Sequence, residues 1–182
     1  QKTVTRREVK KPAALDCLAA GFEPAFLALP GNADLCPYGK VGDRLWVREA
    51  WQADEQVNAI APRELSHGEP IQYPADGASR QTGCSMITPG KTRPSIHMPR
   101  WVSRILLEIT DVRVERLQAI SRSDIRAEGL ECPPELASDD VSPNYRDWYP
   151  AAWRDLWESI NGAGAWDANP WVWVVEFKRM TN

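Results

Sequence analysis

The sequence predicts an α+β protein: a small mixed or antiparallel sheet curled into a barrel, helices packed outside it, and a long loop insertion. Three observations lead there. WVWVVEFKRM at 171–180 is apolar through most of its first half, as a central strand requires. SRILLEITDVRVERL at 103–117 is rich in Ile, Leu, Val and Thr and alternates towards its end, the mark of a second strand. YRDWYPAAWRDLWESING at 145–162 carries helical periodicity, yet no repeated βαβ unit surrounds it, so a doubly wound parallel sheet is excluded.

In chain order, the opening KTVTRR at 2–7 is a basic, β-branched stretch whose conformation is open between strand and turn. Residues 12–40 read as irregular, broken by Pro, Gly and Asn. CPYGKVGD at 36–43 suits a turn, after which RLWVREAW at 44–51 alternates well enough for a strand. Residues 52–93 have weak periodicity and many turn formers, and the 52–90 part reads as an insertion or a lid. In SRSDIRAEGL at 121–130, Ser121 can cap a short helix, Asp124 stands at the capping-box position and Gly129 can end it. ECPPELASDDVSPN at 131–144 is a loop with two consecutive prolines. Tyr149, Trp153, Leu156, Trp157 and Ile160 then fall on one helical face, which reads as core, and Gly162 supplies the stop. The 182 residues suffice for one domain with a substantial core.

Composition narrows the function. A net charge of −3 argues against a protein that coats nucleic acid, but the charge is uneven. Residues 88–104 hold Lys91, Arg93, Arg100 and Arg104 with no acid, whereas 121–160 hold nine acids and four Arg. Five of the first eleven residues are Lys or Arg. Such locally basic faces on an acidic chain suit a site for one anionic ligand. Nine Trp against three Phe offer flat rings on which a base can stack. Cys17, Cys36, Cys84 and Cys132 are too dispersed for a zinc site and read as free thiols of a reducing cytoplasm; His67 and His97 do not complete a metal set, and neither metal nor cofactor is expected. No apolar run reaches the length of a membrane span, and no membrane partner is expected.

The segment TRPSIHMPRWVSR at 92–104 gathers Arg93, His97, Arg100, Trp101 and Arg104 on a proline-stiffened loop. Arginine forks suit phosphate, a Trp ring suits a base, and an imidazole can act as acid or base near neutrality. This loop is expected to wall the ligand site. Glu49 is a reserve carboxylate, with a surface pair to Arg48 as its simpler role.

Taken in order, KTVTRR (2–7), VGDRLWVRE (41–49), ISRSDIRAEGL (120–130) and WVWVVEFKR (171–179) resemble the ASCH domain, a member of the PUA-like β-barrel superfamily. The CPYG–GDRLWVRE, PSIHMPRW–SRI and WDANPWVW blocks are similar to a prophage-encoded subgroup. The resemblance implies a PUA-like barrel that binds RNA or modified bases; the family pattern also has a strand and a helix ahead of the opening Lys. In one branch, the bacterial N(4)-acetylcytidine amidohydrolases, a Lys and a Thr three residues apart and a helix Glu form the catalytic set. By position these become Lys2, Thr5 and Glu128, with Arg6 among the ligand-binding residues. The resemblance thus implies an amidohydrolase that removes an acyl group from the exocyclic amine of a modified cytidine. The alternative is a non-catalytic module binding a modified nucleoside or single-stranded RNA, with a ribonuclease a third reading.

Chemistry sets a condition on the first reading. A Thr hydroxyl needs a base that accepts its proton, and a lysine serves only where burial or a neighbouring cation, such as Arg6 or Arg7, favours the neutral amine. Glu128 then fits a proton relay or a group that reads the cytosine edge. Lys2 and Thr5 converge in a turn, but in an extended chain they face opposite sides, about 10 Å apart at roughly 3.3 Å per residue. The amidase reading therefore requires TVTRR to be irregular.

Overall fold

The computed structural model describes residues 2–81, 85, 88–133 and 143–180, with backbone only at 33 and 143–147. It is α+β with an antiparallel sheet and few helices, as the sequence predicts. The main sheet has strands β1 (Val4–Glu8), β2 (Arg44–Trp46), β5 (Leu106–Arg116) and β6 (Trp171–Arg179) in the order β1-β6-β5-β2. The chain divides into two compact units, one of residues 1–43 and 108–178, the other of 44–107 and 179–182.

In the first unit β1 runs antiparallel to β6, with Thr5 opposite Val175 and Arg6 opposite Val174. Strand β6 is buried on both faces, since Val172, Trp173, Val174 and Val175 are at most 1% exposed. That explains why its sequence is a continuous apolar run rather than an alternation. One face meets helices α3 (Arg122–Ala127) and α4 (Pro143–Asn161), which pack on each other. Between them lies a core of Val4, Leu117, Ile125, Tyr149, Trp153, Trp157, Val172 and Val174.

Helix α3 begins as its sequence dictates. Ser121 is the N-cap and its side chain accepts from the Asp124 amide at 3.1 Å. Beyond it Gly129 has φ +97°, a left-handed conformation in which a side chain would be strained. Helix α4 shows that the aromatic stripe is narrower than its periodicity suggests. Tyr149, Trp153 and Trp157, each four residues apart, are buried, whereas Leu156 is 37% and Ile160 66% exposed. Those two form a parallel row beside the first, at the edge of the packed face.

Two expectations for the first half of the chain need correction. Residues 12–40 are not irregular throughout: they hold α1 (Pro12–Ala19) and the short α2 (Pro24–Leu27). Each has Pro in its first turn, where proline starts a helix because the missing N–H would be unpaired anyway. The other concerns RLWVREAW, of which only Arg44–Trp46 is a strand. Past it the second unit has isolated bridges, Trp51 to Arg93, Gln52 to Gln72 and Asp54 to Pro89.

The 52–90 stretch lies within that second unit and is more than a loop. It contains an antiparallel hairpin of β3 (Ile71–Tyr73) and β4 (Ala78–Arg80). Trp51, Ala53, Leu65, Ile71, Tyr73, Met98 and Val102 form its core. The Tyr73 hydroxyl donates to Val102 O at 2.7 Å, which satisfies the one polar atom that this buried ring brings in.

Candidate binding site

The first unit contains a cavity of about 190 Å³ between β1 and α4. Two backbone features bring its groups together. The Thr3 amide donates to Ala127 O at 2.8 Å, stitching the start of β1 to the end of α3. Gly129 lies against Lys2, where an added Cβ would stand 3.5 Å from that residue's own Cβ. Lys2 is thereby set beside Glu128, and its Nζ lies 2.8 Å from Glu128 Oε2.

Glu128 is 6% exposed and sits at the C-terminal end of α3, where the partial charge of the backbone carbonyls disfavours a carboxylate. Cations compensate it. Besides Lys2, Arg6 places NH1 3.5 Å from Glu128 Oε1. Arg6 is itself 2% exposed, and its NH2 meets Asp124 at 2.8 Å and Glu115 at 3.4 Å. Asp124 and Glu115 also pair with Arg113, which reaches Asp111 and Glu176 as well. Burial works against the Arg113 charge, yet the Glu115, Glu176 and Asp111 bonds outweigh it and hold the guanidinium pKa above its ordinary value.

Lys2 and Glu128 therefore meet, but Thr5 does not join them. TVTRR is not irregular: Val4–Glu8 is a strand. Lys2 and Arg6, an even number of residues apart, point to the Glu128 side, and Thr5 belongs to the opposite face, in the ladder against Val175. The residues lining the cavity do not include Thr5.

They do include groups that are not among the candidate site residues read from the sequence. Arg7, which is on Thr5's side of the edge strand β1 but reaches the lining with its longer side chain, joins Lys10 and Tyr38 there, together with Trp153, Leu156, Trp157 and Ile160 of α4. The α4 residues had a clear signal, helical spacing, but spacing cannot separate a buried row from a row that edges a cavity. Tyr38 had none, because its turn is distant in sequence. Burial pushes the Tyr38 phenol up from its ordinary pKa, while the nearby charges of Arg7 and Lys10 pull the other way. A second hollow continues from the first, sharing Glu8, Lys10, Trp157, Ile160 and Asn161.

The 92–104 loop belongs to the second unit, and most of its candidate ligand groups are committed there. Arg93 is 5% exposed and donates to Val57 O at 2.8 Å and Ile60 O at 2.9 Å, above the Trp51 ring. It is a strut for the 57–60 turn rather than an open phosphate fork. Arg104 makes a two-pronged pair with Glu49 at 2.8 and 2.7 Å, reaches Asp76 at 2.9 Å, and lies over the Tyr73 ring. Glu49 therefore pairs with Arg104, not with its neighbour Arg48, which lies over Trp46. One face of Trp101 is stacked by His67 at 5.0 Å, and Arg80 approaches the same ring. His97 and Arg100 are exposed; His97 lines a hollow of about 380 Å³ with Pro62, Lys91, Thr92, Arg93 and Pro94.

Among the described residues no cluster of His, Cys, Asp or Glu could hold a metal ion, and no helix is long and apolar enough to cross a membrane. Cys17, Cys36 and Cys132 are free; Cys84 lies outside the described residues. Comparisons with protein-family models, with curated proteins and with solved structures find no match to this chain.

Proposed function

We propose that the chain is an ASCH-like, PUA-type module that binds a modified nucleoside, or an unpaired base of single-stranded RNA, without hydrolysing it. The observation that carries this reading is the pair of Lys2 and Glu128 on the wall of one small cavity, with Thr5 on the other face of the strand. A carboxylate beside an ammonium presents an acceptor next to a donor. That pattern complements a cytosine edge, whose exocyclic amine donates and whose neighbouring ring groups accept. The indole and aliphatic side chains of α4 supply the apolar wall that a ring needs.

Hydrolysis is the second reading, favoured by the same 2.8 Å contact of Lys2 with Glu128. It lacks its threonine at the site. The Thr5 hydroxyl that would attack belongs to the other face of β1, and the lining that holds Lys2 and Glu128 does not include it. Calorimetric titration of the protein with N(4)-acetylcytidine, cytidine and uridine, with acetate measured in the same samples, separates the readings. Binding of a cytidine without acetate release is the expected result. Catalytic release of acetate would establish the hydrolase instead, and the absence of both would remove the nucleoside site altogether.

A further inference from the structure

The charges along the cavity do not all neutralise one another. Lys2, Arg6, Arg7 and Lys10 line it, against two carboxylates, Glu8 and Glu128. Glu128 is already shared by Lys2 and Arg6. Glu8 lies 3.5 Å from Lys10, but both side chains are exposed, and such pairs hold weakly in water. Arg7 pairs with no carboxylate among the described residues; its guanidinium makes one hydrogen bond, to Arg6 O at 3.3 Å. Its other four N–H donors have no acceptor among the described residues, and the side chain is exposed. The Tyr38 hydroxyl stands in the same lining with no described residue accepting from it. Facing these groups, Trp157, Leu156 and Ile160 form an apolar wall.

We infer that Arg7, Lys10 and Tyr38 form an anion subsite, so that the preferred ligand is not a bare nucleoside but one carrying a phosphate on its sugar. The inference rests on the proposed base site and extends it. A planar guanidinium fork, an exposed ammonium and a phenol O–H in one lining are donors suited to the several oxygens of one phosphate. The separation of polar and apolar walls orients such a ligand: the ring lies against α4 and beside Glu128, and the phosphate faces β1 and the 36–39 turn. The adjoining hollow, which also has Lys10 in its wall, leaves room for further substituents beyond that phosphate.

The phosphate can be the terminal group of a mononucleotide or the diester of an RNA strand, and the test includes both. Full-length protein is titrated with cytidine, cytidine 5′-monophosphate, a cytidine-containing dinucleotide and inorganic phosphate. The same series is run on Arg7→Gln, on Tyr38→Phe and on Arg154→Gln, an exposed α4 change outside the cavity lining. Melting curves check that each variant is folded. A phosphate-bearing ligand should bind at least about tenfold more tightly than cytidine, the worth of one hydrogen bond to a charged group. Most of that ratio should disappear in Arg7→Gln, shrink in Tyr38→Phe and persist in Arg154→Gln. A mononucleotide advantage not shared by the dinucleotide assigns the site to terminal phosphate, and the reverse assigns it to a strand. Equal affinity for nucleoside and nucleotide, or an advantage that Arg7→Gln leaves intact, overturns the subsite while the base site stands. If no ligand binds, the base site falls and the subsite with it.

Discussion

Arg6 is the residue on which the candidate site depends. Its side chain is fully enclosed, yet it faces Glu115, Asp124 and Glu128. A buried cation among carboxylates adds little net stability over an apolar core, but removing it alone leaves the acids uncompensated. Arg6→Met should therefore destabilise the protein by about 3–5 kcal/mol in urea titrations. Lys2→Gln, at a side chain 47% exposed, should cost less than about 1 kcal/mol while still weakening ligand binding. Equal costs for the two would mean that the buried network is not organised around Arg6. The sequence showed a basic opening and an acidic 121–160 segment but not which charges would be buried together. Arg6 and Glu128 are 122 positions apart, and their approach is made by strand pairing and the Thr3–Ala127 bond.

At the scale of elements, local chemistry was readable and alternation decisive. Ser121, Asp124 and Gly129 mark the start and stop of α3, and the helix forms between them. Ser121→Ala should cost about 1 kcal/mol, seen as a lower denaturation midpoint, because it removes the acceptor for the Asp124 amide. Strand β6 was equally plain, since only a doubly buried strand is apolar on both sides. Helix α1 is hidden in the sequence because a proline can mark a break or the first turn of a helix. For β1 the extended conformation itself is the answer. Period-two geometry sends Lys2 and Arg6 to one face and Thr5 to the other, so a spacing of three that suits a turn disperses the set in a strand.

For the molecule as a whole, each unit has its own core, and one cluster contributes to the acid response of the second. The Arg104 hydrogen bond, aided by the Ala78 amide, holds the Asp76 carboxyl below its ordinary 3.8. A depressed folded pKa means that the contribution is fully present above 3.8 and is lost as pH falls through the lower folded value. Asp76→Asn should abolish that part of the acid destabilisation, so wild type and variant should converge below the folded pKa when urea midpoints are followed from pH 5 downwards. A difference independent of pH across that range would show that Asp76 acts through packing instead. The side chain is exposed, so salt should weaken the effect.

The sequence by itself determined the α+β class, the central β6, the capped α3, the helical period of α4 and the two basic segments, because each is set by neighbours in the chain. Only the tertiary structure decided which of those charges form a site. It joined Lys2 to Glu128, turned Thr5 away, committed Arg93 and Arg104 to their own unit, and brought Tyr38 beside Arg7 and Lys10. The physical reason is that capping and periodicity act over a few residues, whereas ion pairing and cavity lining depend on which distant surfaces strand pairing and helix packing bring within a few ångströms.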